Sequence, residues 1–113
     1  MTIIGEVLIR SGNTVRSGVE SRAGYGARLD VDTLQIVSGP GGFNPTTLDI
    51  TLQHKNFNED AWVTAGSFTQ ITDTGLSSLN VTDLRQQVRF ELEANGEPGG
   101  WVRVLVLPAV WKE

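Results

Sequence analysis

Cysteine is absent from the 113 residues. Disulfides and thiolate metal sites are excluded with it, and so is a small secreted scaffold held by disulfides. Histidine occurs once, at His54, so any nucleophilic triad would have to be built on that residue. Zinc needs several His or Cys ligands, which the chain does not have. No Gly-x-Ser-x-Gly elbow is present. A basic surplus is missing too: nine Lys and Arg stand against thirteen Asp and Glu, for a net charge of −4. Such a balance disfavours a face that neutralises nucleic-acid phosphates, so nucleic acid is not an expected partner. Long apolar runs are also lacking. The stretch around Val104 to Leu107 falls far short of the roughly 20 residues that cross a bilayer, so no membrane association is expected. Met1 to Glu6 has no signal-peptide pattern, which gives the expectation of a soluble chain made in the cytoplasm.

Helical periodicity is absent as well. Leu76 to Leu84 has apolar residues at 76, 79 and 84 among Ser, Asn and Thr, enough for one turn at most. What the chain has instead is alternation. Leu48, Ile50 and Leu52 alternate with Thr47, Asp49, Thr51 and Gln53. Val88, Phe90 and Leu92 alternate with Arg89, Glu91 and Glu93, and Ala27, Leu29 and Val31 with Arg28, Asp30 and Asp32. A period of two places each apolar set on one face of a strand. Trp62 to Ala65 and Phe68 to Ile71 read as short strands joined at Gly66-Ser67. Thirteen glycines and four prolines punctuate these runs. The composition therefore predicts an all-β, single-domain β-sandwich over residues 1–113, jelly-roll or immunoglobulin-like, with about seven to nine short strands.

Two strands are apolar on both faces: Ile3 to Ile9, and Gly100 to Leu107, where Val102, Val104 and Val106 oppose Trp101, Leu105 and Leu107. Such strands are either enclosed or turned toward a partner. Ile4, Leu8, Trp101, Val102, Val104 and Val106 are therefore candidate protein-interface residues, with Trp111 as a further anchor. Arginines recur at Arg10, Arg16, Arg22 and Arg28, with Arg10-Ser11-Gly12 echoed by Arg16-Ser17-Gly18. The spacing admits a chance basic segment, or a cationic arm within residues 1–45 that docks on an acidic neighbour.

Catalytic chemistry finds no support. His54 continues the inward face of its strand and reads as a satisfied strand-end residue. The pairs Asp30/Asp32 and Glu91/Glu93 lie roughly 6.6 Å apart along their strands, yet alternate with core residues and lack a desolvating pocket. Gly39-Pro40-Gly41-Gly42 has no following Lys-Ser or Lys-Thr and reads as a loop. Asn56-x-Asn58-x-Asp60 supplies the first oxygens of a calcium loop but not its Gly or bidentate Glu. A polar hairpin loop and a looser cation site both stay open there. No catalytic, cofactor-binding or metal residue is assigned. The three tryptophans, Trp62, Trp101 and Trp111, border loops or a terminus. Clustered on one rim they would stack on sugars; dispersed they plug the sandwich or anchor a protein contact.

From Leu48 onward the chain resembles small β-sandwich virion proteins encoded in tailed-phage structural modules. The likeness rests on Leu48-Asp49-Ile50-Thr51-Leu52-Gln53-His54, a polar loop, Trp62, then Ser67-Phe68-Thr69-Gln70-Ile71-Thr72-Asp73-Thr74-Gly75. Val88-Arg89-Phe90 and Val102-Arg103-Val104 continue it. The resemblance implies a non-enzymatic decoration (cement) protein on the capsid surface of the virion. Its implied partners are the major capsid protein and copies of itself, as a homotrimer. The alternatives are a carbohydrate-binding module whose ligand is a glycan, or a tail or baseplate component.

Overall fold

The structure is a computed structural model, and it describes residues 5–113. Ile4 lies outside the described residues. Ten strands and no helix are found among them: β1 (Gly5–Arg10), β2 (Thr14–Arg16), β3 (Glu20–Ser21), β4 (Gly26–Val37), β5 (Thr47–Lys55), β6 (Val63–Ser67), β7 (Gly75–Val81), β8 (Gln87–Asn95), β9 (Trp101–Val106) and β10 (Val110–Lys112). All pairings are antiparallel and form two sheets. Sheet I runs β1-β9-β4-β7, with β10 continuing the line of β9 along the same edge of β4. Sheet II runs β2-β8-β5-β6, with β3 following β2 along β8. The two sheets face each other as a β-sandwich.

Alternation explains the core. From sheet I come Ile9, Ala27, Leu29, Val31, Val102, Val104 and Val106; from sheet II come Leu48, Ile50, Leu52, Val88, Phe90, Leu92 and Ala94, all buried in one cluster. At about 25 cal/mol per Å² of apolar surface removed from water, this interleaved layer is the main stabilising contribution. Gly66 closes the corner between β6 and β7, since a Cβ there would sit 2.6 Å from Val81 Cγ1.

The strand count exceeds the predicted seven to nine because the arginine-bearing segment contributes two short strands and the C-terminus one more. One segment gains a strand the sequence did not offer, and one local reading is corrected. Leu76 to Leu84 holds no helical turn; Gly75–Val81 is a seven-residue strand paired to β4. Its inner residues, Ser77, Leu79 and Val81, pair with Val31, Leu29 and Ala27, so tertiary pairing overrides the weak local signal. Phe68 to Ile71 is not a strand. Phe68 and Ile71 are buried three residues apart and bind β5 through Phe68 N to Ile50 O (3.0 Å) and a two-way bridge between Ile71 and Leu48.

Candidate protein-contact surface

Each sheet has an outer face set by the residues between its core positions. The outer face of sheet II is polar and internally satisfied. Arg16 Nε donates to Glu91 Oε2 at 2.8 Å, and Arg89 Nε to Gln53 Oε1 at 2.8 Å. Asn95 Nδ2 donates to Asp49 Oδ2 at 2.8 Å, and Gln70 Nε2 to the same carboxylate at 3.2 and 3.3 Å. Burial and the nearby positive charge of Arg16 pull the Arg89 pKa down from its ordinary value.

At one end of this face lies Trp62. The Arg89 guanidinium sits 4.3 Å and the Lys55 ammonium 4.7 Å from its ring centroid. The Asn56–Asp60 loop is organised by Lys55: its Nζ donates to Asn58 O (3.0 Å) and Asp60 O (3.3 Å). Asp60 Oδ2 accepts from Phe57 N at 3.1 Å. The side-chain oxygens that suggested a cation loop are thus taken by N–H donors: Asp60 Oδ2 by Phe57 N, Asn58 Oδ1 by Gln87 Nε2 (2.7 Å) and Asn56 Oδ1 by Gln86 N (3.4 Å). No group of three or more His, Cys, Asp or Glu able to hold a metal occurs among the described residues.

The outer face of sheet I differs. Register places its residues in cross-strand rows: Arg10, Trp101 and Val37; then Leu8, Arg103 and Gln35; then Glu6, Leu105, Asp32 and Leu76. Leu8 is 55% and Leu76 66% exposed, and a bulge between Thr33 and Gln35 brings Leu34 to the surface at 38%. Arg103 Nε lies 3.2 Å from Glu6 Oε1. Arg28 lies 3.3 Å from Asp30, whose carboxyl is held below its ordinary pKa chiefly by the Ser78 hydroxyl and then by Arg28. Arg10 has no carboxylate partner among the described residues. Beside it an open depression of about 530 Å³ is lined by Arg10, Ser11, Asn13, Trp101 and the Pro98–Gly100 turn.

The predicted interface residues therefore divide. Leu8, Arg10 and half-buried Trp101 belong to one outer face, where the sequence had placed Leu8 and Trp101 on separate strands and Arg10 in a basic segment. Val102, Val104 and Val106 are corrected: at 0%, 0% and 2% exposure they are core residues, because the odd positions of β9 face out and the even ones in. Trp111 is also corrected as a free anchor, since it is half-buried against the core and covered by Arg22, whose guanidinium lies 4.3 Å from its ring centroid. The arginines form no free arm. Arg16 sits in β2 against Glu91, Arg22 pairs with Glu20 at 3.5 Å, and Arg28 sits in β4. Sequence reasoning missed Leu105 and Leu76 as members of the exposed face. Leu105 was legible as the odd partner of Val104 and Val106; Leu76 was hidden with the rest of β7.

At the end of the sandwich the Gly39–Phe43 loop presents Phe43 at 88% exposure. Glu97 Oε1 accepts from Phe43 N (2.9 Å) and Asn44 N (3.1 Å), and its other oxygen fills the space a Cβ of Gly41 would need. The loop is thereby tied to the turn after β8. No family model, curated protein or solved structure matches this chain.

Proposed function

We propose that this chain is a structural interaction protein, a decoration (cement) protein on the outside of a tailed-phage head. The major capsid protein is its partner. The observation that carries the protein-contact part is the difference between the two outer faces. One is polar with its hydrogen bonds closed on itself; the other presents exposed Leu8 and Leu76 and half-buried Leu105 and Trp101 between charged residues. Exposed apolar side chains mixed with Arg and an aromatic are typical of protein interfaces. The capsid part rests on the resemblance carried by Leu48 to Gly75, Val88-Arg89-Phe90 and Val102-Arg103-Val104. The arrangement of the tryptophans speaks against the glycan-binding alternative. Trp62 and Trp111 already carry cations over their rings, and Trp101 lies on a different face from Trp62. The three tryptophans therefore form no row of free ring faces for sugars to stack on. Mass spectrometry and cryo-electron microscopy of particles made by the genome that encodes the chain test the reading. Many copies on the outer shell are expected, and purified particles without the chain would overturn it.

A further inference from the structure

We infer that the outer face of sheet I binds a second copy of this chain through a two-fold, face-to-face contact centred on Leu8. The inference rests on the reading of that face as a protein-contact surface and adds its occupant. The row order carries it. Arg10, Trp101 and Val37 form one row, and Glu6, Leu105 and Asp32 form the row two steps away, with the Leu8–Arg103–Gln35 row between them. One side of the middle row is therefore basic and aromatic, the other acidic and aliphatic. A two-fold axis lying along the middle row turns the face onto itself with the strands of the two copies antiparallel. Each Arg10 then comes over the second copy's Glu6, and each Trp101 over its Leu105. Leu8 meets Leu8 on the axis.

An isologous contact of this kind pairs the flanking rows with opposite charge, Arg10 to Glu6, and sets Arg103 against its own copy on the axis. Arg10 has no carboxylate of its own among the described residues. Glu6, already beside Arg103 at 3.2 Å, would then lie between two guanidinium groups. Aligned sheets pack about 10 Å apart, which suits Leu and Trp side chains meeting from both sides. The overlap is small. Three strands by three rows cover about 300 Å² of sheet per copy, which places the association in the weak, concentration-dependent class. On a shell that holds many copies side by side, such a contact gains from high local concentration. Leu76 lies outside the overlap, because β7 begins opposite Thr33 and has no residue in the Arg10 row.

Sedimentation equilibrium of the purified chain over a wide concentration range is the test, with circular dichroism melts to establish folding. A monomer–dimer equilibrium is expected, weakening as salt rises. Leu8→Glu and Arg10→Glu each lower the association constant at least about tenfold, and Phe57→Glu, at an exposed apolar residue of the loop after β5, leaves it unchanged. A chain that stays monomeric at every concentration, or that forms the trimer implied by the phage resemblance, overturns the two-fold contact. So does loss of association in Phe57→Glu equal to that in Leu8→Glu. A monomeric chain recovered on particles would end this inference and leave the proposed function standing; a dimer absent from particles would do the reverse.

Discussion

Val104 is fully buried, so Val104→Lys buries an unpaired ammonium, and the expected product is an unfolded chain with random-coil circular dichroism. A folded Val104→Lys variant would contradict the placement of β9. Thr33, 1% exposed beside the bulge, has an Oγ1 with no hydrogen-bond partner among the described residues. An unpaired buried hydroxyl costs about 1–3 kcal/mol, so Thr33→Val is expected to raise stability by roughly 1 kcal/mol in denaturant titration. His54 acts in the opposite sense. Its Nδ1 accepts the Arg85 N–H at 3.1 Å, and burial, followed by the Arg85 charge, lowers its pKa. The unfolded chain therefore binds the proton more readily, and stability present above the ordinary His pKa is lost as pH falls below it and through the lowered folded-state value. The melting temperature should drop between pH 7.5 and 5.5, and His54→Asn should flatten that slope.

Among the elements, β4, β5 and β8 were legible because each carries three or more strictly alternating apolar residues. β7 was not, because its inner face is Ser77, Leu79 and Val81 and its outer face Leu76, Ser78 and Asn80, so polarity does not track the pleat. The pairing of the arginines was illegible for another reason: Arg16 meets Glu91 across 75 positions of chain. The Gly39–Phe43 loop is an element-scale device of the same kind. Gly41→Ala would displace the Glu97 carboxylate, and Glu97→Ala would remove it; both release the Phe43 and Asn44 N–H groups. Each substitution is expected to cost about 1–2 kcal/mol, and the double variant no more than the costlier single one. Additive losses in chemical denaturation would show that the two residues act separately.

At the scale of the molecule, the all-β sandwich was readable from alternation and glycine placement, while the contact face was only half readable. The sequence set the valines of β9 opposite Trp101 and Leu105 but did not say which set faces the core; that follows from the pairing with Val31, Thr33 and Ile36. The central claim is that this protein works through the outer face of sheet I. Hydroxyl-radical footprinting of the chain bound in purified particles, against the dilute free chain, tests it most directly. Protection at Leu8, Trp101 and Leu105, with Thr51, Gln53 and Trp62 unchanged, is the expected result. Protection at Trp62 and its neighbours on sheet II, with Leu8 and Leu105 as reactive as in the free chain, would contradict it.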